Sequence, residues 1–236
     1  STLLGAHEVP DEYRHDRKSY IDIIVNDMIP AVSQQKLAEF CDVFCEKGVY
    51  TIEETEKILT AARKHGLQLK FHADEFVSSG GAELAAQMGA LSADHLMAIS
   101  DAGISALAES NTVATLLPGT TFFLGTNTWA PARKLLDVGV TLALATDFNP
   151  GSNMSLSMQF ILTLAVIYLH MTPLEALQAA TSGAAKSMGI EKSTGSISPG
   201  LSADAVLWQA DNYRQLPYFY GSNQVYHIVV DGKAIL

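Results

Sequence analysis

Between Thr2 and Asp147 the chain repeats one unit: a short apolar run, a turn, and a stretch with helical periodicity. Strands that alternate with helices pair in parallel, because each crossover helix returns the chain to the same edge of the sheet with a right-handed twist. The apolar runs predict strands over residues 2–6, 37–44, 67–71, 92–95, 112–117 and 140–146, in consecutive parallel order. Helices are predicted over 51–65, 81–88, 100–109 and 131–138, the first with Thr51 as N-cap, Glu54 three residues on and Gly66 as its stop. No glycine-rich phosphate loop follows any strand, which favours an α/β fold of the TIM-type (β/α)8 barrel kind over a doubly wound dinucleotide fold.

The polar residues support the same architecture. His7, His72, Glu75, His95, Asp147 and Asn149 all fall at or just past the C-terminal ends of predicted strands, where a barrel places its active site. Six strands are readable and a closed barrel has eight. The chain opens at Ser1 beside a strand, so about two βα units are expected upstream.

After Asp147 the pattern changes. Ser152 is expected to cap a helix over 154–170, and Thr172-Pro173 with Glu175 forms a second capping signal for a helix to Met188. The run Gly195 to Gly200 precedes a strand over 205–208, and Asp231-Gly232 between apolar runs at 225–230 and 233–236 signals a hairpin. This divides the chain into a partial barrel, residues 1–190, and part of a small β domain, 191–236.

Composition narrows the function classes. The hydrophobic fraction is 48% and the charged fraction 17%, against about 25% charged in ordinary globular chains, which excludes a disordered chain. With 15 Lys and Arg against 25 Asp and Glu, the net charge is −10 and no basic run exists, so neither nucleic acid nor an anionic membrane is an expected partner. The longest apolar stretch, 160–169, is interrupted by Thr163 and falls short of the ~20 residues a bilayer span needs. The helix that contains it suits either a homodimer face or ordinary barrel packing. No signal-peptide pattern opens the chain. Cys41 and Cys45 make no disulfide framework and read as buried reduced thiols. A cytoplasmic protein acting on a small molecule is the expectation.

Each candidate residue has a plain structural alternative. His72, on a buried strand, offers the commonest metal-binding side chain; it could equally be a core histidine bonded to a backbone carbonyl. Glu75, three residues on, is placed to orient a substrate or move a proton. Asp147 ends an apolar strand where a carboxylate binds metal or takes a proton from water, or else caps the next turn. Asp94 and His95 are adjacent, so strand alternation sends at most one of them inward; His95, nearer the strand end, is the choice, and a surface Asp–His pair the alternative. His7 ends a strand at the same face. Asn149, Gly151 and Ser152 open a loop whose backbone N–H groups suit an anion at a helix start. His15, His65, His170 and His227 lack a carboxylate at useful spacing and read as surface or packing residues.

The joint pattern of a histidine after one strand, a second after the next and an aspartate after the last resembles the amidohydrolase superfamily. The resemblance is carried by Leu4-Gly5-Ala6-His7, Ala38 to Glu46, Phe71-His72-Ala73-Asp74-Glu75, Ser92-Ala93-Asp94-His95-Leu96, Thr112 to Thr120, Ala145 to Ser152, and a tail signature from Gly195 to Leu207. It implies a metal-dependent hydrolase, specifically one that opens the cyclic amide of 4-imidazolone-5-propanoate to N-formimidoyl-L-glutamate in histidine degradation. Another amidohydrolase, such as a nucleobase deaminase, and a non-catalytic barrel are the competing readings. The resemblance further implies one zinc or iron ion held by His72 and Asp147 beside an HxH pair, and no HxH occurs in this sequence. By the same likeness Glu75, His95 and Asp147 are catalytic, and His7, Glu75, Asn149, Gly151 and Ser152 contact substrate.

Overall fold

The computed structural model describes residues 1–235. The chain divides into two compact units, Ser1–Thr112 and Val113–Leu236.

The first unit holds four parallel strands that pair in sequence order: β1 (Thr2–Ala6), β2 (Phe40–Cys45), β3 (Gln68–Ala73) and β4 (Ser92–His95). A helical segment follows β1, with α1 (Arg17–Ile23) and α2 (Ile29–Gln34) joined by a π turn over Ile24–Met28. Helix α3 (Ile52–Lys64) links β2 to β3, and α4 (Gly81–Gln87) links β3 to β4. Helix α5 (Asp101–Ala108) follows β4. The expected cap of α3 is present in full: Thr51 accepts from the Glu54 amide while Glu54 accepts from the Thr51 amide. Ile24, Ile29, Ile58, Leu59, Phe71 and Leu96 are fully buried and form the core of this unit. Each such side chain contributes about 1.5–3 kcal/mol by leaving water.

The second unit pairs β5 (Val113–Leu116) with β6 (Leu142–Leu144), again in parallel, with α6 (Pro118–Phe123) and α7 (Ala132–Asp137) between them. Helix α8 (Met158–Tyr168) follows, then α9 (Pro173–Gln178), a π turn over Ala179–Gly183 and α10 (Ala184–Ser187). The tail is an antiparallel sheet of β7 (Ala205–Trp208), β8 (Val225–Val230) and β9 (Lys233–Ala234), with α11 (Gln215–Tyr218) between β7 and β8. Both units keep the parallel βα alternation of the expected barrel, and the antiparallel sheet is the expected appendage; position 236 of the predicted last strand lies outside the described residues.

Two local expectations need correction, and two segments carry structure that the sequence leaves open. Residues 17–34, for which no element is predicted, are helical; the β-branched Ile21, Ile23, Ile24 and Val25 and the internal Pro30 hide the period, and Asp16 caps α1 by accepting from the Ser19 amide. Strand β2 starts at Phe40 rather than Leu37, which is 58% exposed and whose amide donates to the Val32 carbonyl at the end of α2. The Pro118-Gly119 pair, just after the predicted strand 112–117, opens α6, because proline fits the first helical turn. Helix α8 starts after Ser157, which accepts from the Phe160 amide. Ser152 cannot cap it, since its hydroxyl is engaged with Asn149 and Asp147.

Candidate functional site

In the first unit, three histidine rings converge at the C-terminal ends of the strands. The His7 ring lies 5.0 Å from that of His72, edge to face, and His72 lies 5.2 Å from His95. Phe44 stacks on His7 at 5.1 Å and tilts against His72 at 5.4 Å. The backbone around His7 is anchored on both sides: the Tyr20 hydroxyl donates to the Gly5 carbonyl at 2.8 Å and the Tyr50 hydroxyl to the Glu8 carbonyl at 3.2 Å.

His72 lies on β3, in register with Phe44 on one side and Asp94 on the other. Its Nδ1 stands 2.6 Å from Oδ1 of Asp42. A carboxylate can only accept, so Nδ1 carries the hydrogen and the ring's lone pair is on Nε2. Asp42 is 3% exposed.

His95 corrects the alternation argument. Asp94 is in register with His72 and therefore shares its face of the sheet. His95 reaches the same place because its φ of 79° takes it out of strand geometry. Asp74, His95, Leu96 and Asp147 all have positive φ at strand ends, conformations that non-glycine residues adopt at a cost of about 1–3 kcal/mol and that cluster at functional sites. His95 is 2% exposed. Burial, and next the neighbouring His72, push its pKa down to about 3, with Asp94 opposing, so the ring is neutral at pH 7. Its Nδ1 lies 3.6 Å from Oε1 of Glu75, beyond hydrogen-bond length.

In the second unit, Asp147 follows β6 with φ 52°. Its Oδ2 accepts from the Thr120 hydroxyl at 2.6 Å and from the Ser152 hydroxyl at 3.2 Å. Thr120 is fully buried near the start of α6. Asn149 ties the loop: its Oδ1 accepts the amides of Gly151 and Ser152 at 2.9 and 2.8 Å, and its Nδ2 donates to Ser152 Oγ at 2.7 Å. The expected open amides at a helix start are therefore corrected. These two amides are bonded within the loop, and the next helix begins only after Ser157.

The donor set suits zinc or iron, which accept imidazole and carboxylate alike. Asp42 fixes the His72 tautomer as metal-bound histidines require, and the buried Oδ1 of Asp94 and Nδ1 of His95 have no hydrogen-bond partner among the described residues. Among the described residues no group of three or more His, Cys, Asp or Glu side chains is arranged to hold a metal ion. The four remaining histidines are exposed. Cys41 and Cys45 are buried and free; burial pushes their thiols up to about 12 and about 11.

Sequence reasoning missed Asp42 and Glu46. Both are buried, and the available signal was two carboxylates set in the otherwise apolar run Phe40-Cys41-Asp42-Val43-Phe44-Cys45-Glu46.

With this geometry in view, comparison with known proteins is informative. The imidazolonepropionase of Geobacillus thermodenitrificans is 50% identical over 236 residues, which are 100% of this chain and 55% of that protein. The imidazolonepropionase of Alkaliphilus oremlandii is 45% identical over 100% of this chain and 56% of its own length. The chain thus spans little more than half the length of the curated relatives it matches. Among solved structures, a zinc-bound adenosine deaminase from Xanthomonas campestris aligns with 100% of this chain and 60% of its own, at a TM-score of 0.76 and 21% identity. A triazine hydrolase variant aligns over the same shares at 0.79 and 18%. These two likenesses are of fold. They agree with a parallel barrel of the metal-dependent hydrolase kind carrying a small antiparallel sheet. The model of the amidohydrolase family matches residues 5–235; the histidines ending three parallel strands, and the aspartate ending a later one, lie within that match, and the chain belongs to the amidohydrolase family.

Proposed function

We propose that the protein containing this chain is an imidazolonepropionase, which hydrolyses the ring amide of 4-imidazolone-5-propanoate to N-formimidoyl-L-glutamate. The observation that carries the reading is the His72 ring lying 5.0 Å from that of His7 and 5.2 Å from that of His95, in a chain 50% identical to an imidazolonepropionase. His72 through Nε2 and Asp147 through its carboxylate would hold one zinc or iron ion. When bound, such an ion makes hydroxide available at neutral pH by lowering the pKa of its water.

The chain's own side chains supply the rest. Asp147, steadied by Thr120 and Ser152, takes the proton from the attacking water. His95, held neutral by burial, donates one N–H to the oxyanion that develops on the ring carbonyl. Glu75 holds a ring N–H and is placed to protonate the leaving nitrogen. His7, Asn149, Gly151 and Ser152 contact the substrate. In this reading residues 1–190 belong to the catalytic barrel and 191–236 to a small β domain, and the enzyme works in the cytoplasm. Among the described residues no helix is long and apolar enough to cross a membrane.

The test is to load the full-length protein with zinc or iron and mix it with imidazolone propionate. Loss of the imidazolone absorbance with formation of formimidoyl-glutamate is expected. Release of ammonia from a nucleobase, without ring opening of imidazolone propionate, would replace this reading with a deaminase.

A further inference from the structure

Glu46 follows directly on β2 and is 3% exposed, and no Lys or Arg pairs with it among the ion pairs of the described residues. It lies instead against backbone. Oε2 accepts the amides of Glu75 at 2.8 Å and Phe76 at 3.0 Å, and Oε1 accepts that of Val77 at 3.3 Å and of Lys47 at 3.1 Å. Asp74, just before Glu75 in the chain, is fully buried and does the same for the other half of the loop. Its Oδ1 accepts the amides of Ser79, Gly80 and Gly81, and its Oδ2 accepts that of Ala82 at 3.0 Å. Seven of the eight amides from Glu75 to Ala82 thus donate to one of two buried carboxylates.

Apolar packing does not hold the first half of this loop. Phe76 is 56% exposed and Val77 41%, so burial of their side chains contributes little to its position. What fixes the backbone at Glu75 is the Glu46 carboxylate, acting through three consecutive N–H groups. Hydrogen bonds to a charged acceptor are about twice as strong as neutral ones, and this one is shielded from water. The Glu75 side chain springs from that clamped backbone and comes to rest with Oε1 3.6 Å from His95.

We propose that Glu46 is a positioning residue of the site: it sets the Glu75 carboxylate where the reaction needs it, without touching substrate. The proposal rests on the role given to Glu75 above. Glu46→Gln is the informative change, because either orientation of the amide sets an NH2 group against backbone N–H donors. A displacement near 1 Å at a catalytic group costs about 100-fold in rate, so the variant should lose roughly 10- to 100-fold in kcat with KM changed less than about threefold. Metal content should stay at the wild-type level. Amide hydrogen exchange at Glu75, Phe76 and Val77 should accelerate at least tenfold, and that at Ser79 to Ala82, held by Asp74, should not.

The experiment compares full-length wild type, Glu46→Gln and Glu46→Asp, the last retaining charge with a shorter reach. Faster exchange at 75–77 with a fall in kcat supports the proposal. Unchanged exchange, or faster exchange with full kcat, overturns it, and so does failure of both variants to fold, which would make Glu46 a residue of the fold alone. If wild type does not open imidazolone propionate, the substrate assignment falls, while the exchange pattern still decides whether Glu46 holds the Glu75 backbone.

Discussion

Nδ1 of His72 donates to Oδ1 of Asp42 across 2.6 Å, from one parallel strand to its neighbour. The two residues are offset by one alternate position: Asp42 is in register with Lys70 and His72 with Phe44. The bond therefore runs diagonally and pins the ring plane as well as the tautomer.

Asp42→Ala should weaken metal binding by about 10- to 100-fold, the usual effect of losing the partner of a metal-bound histidine. A chelator competition series on full-length protein measures it. Affinity within twofold of wild type would show that Asp42 serves the strand rather than the ligand.

Glu75→Gln should leave metal content intact and remove most of the turnover. The amide preserves shape but cannot exchange a proton, and such groups contribute about 100- to 10,000-fold. A loss under about tenfold in kcat would restrict Glu75 to holding the substrate.

Thr120→Val should lower kcat by about tenfold or more. It removes the 2.6 Å donor to Asp147 Oδ2 while keeping the shape of a fully buried side chain, and a hydrogen bond to a charged group is worth about 1.5–3 kcal/mol. Unaltered kinetics at full metal loading would show that Ser152 alone orients the carboxylate.

Glu175 carries a pH-dependent part of the stability. Arg133 first, then the Thr172 amide, hold its carboxyl down to about 2 from 4.5. A depressed acid stabilises the fold above its unfolded pKa, and that contribution is lost as pH falls from about 4.5 through about 2. The pair is partly exposed, so solvent screening limits it to about 1 kcal/mol. Glu175→Gln keeps a side chain suited to the capping box and removes the charge. Denaturant melts should show wild type ahead of the variant at pH 7 and the gap closing near pH 2. A constant gap would assign the effect to the cap.

Gly183→Ala should destabilise the fold by about 1–3 kcal/mol, the range for forced overpacking. A Cβ at this position would run into the carbonyl of Leu142, so the π turn can lie against β6 only without one. An unchanged melting temperature would mean that the turn shifts freely.

The elements most legible in the sequence are those whose signals are local. Strands β1, β4, β7 and β8 fall where their apolar runs predict, and the Thr51–Glu54 and Thr172–Glu175 capping boxes mark their helices. The failures fall where the folded surroundings of a residue override its local pattern. Ser152 has the chemistry of a cap, but Asp147 and Asn149 engage it first. His95 breaks strand alternation through a left-handed backbone that no pattern announces. The candidate residues were visible because they end strands. Asp42 and Glu46 were not read, because their meaning lies in the neighbouring strand's His72 and in the loop after it.

The carboxylate clamp beneath residues 75–77 has a consequence for how this loop can change. Because the backbone is gripped from its own amides, the outward side chains of Phe76 and Val77 are released from any duty in shaping it. Those positions form a palette on a fixed frame. Substitutions there can recolour the surface beside Glu75 while its geometry is inherited unchanged, which gives a directed-evolution library a place to vary recognition without loosening the chemistry.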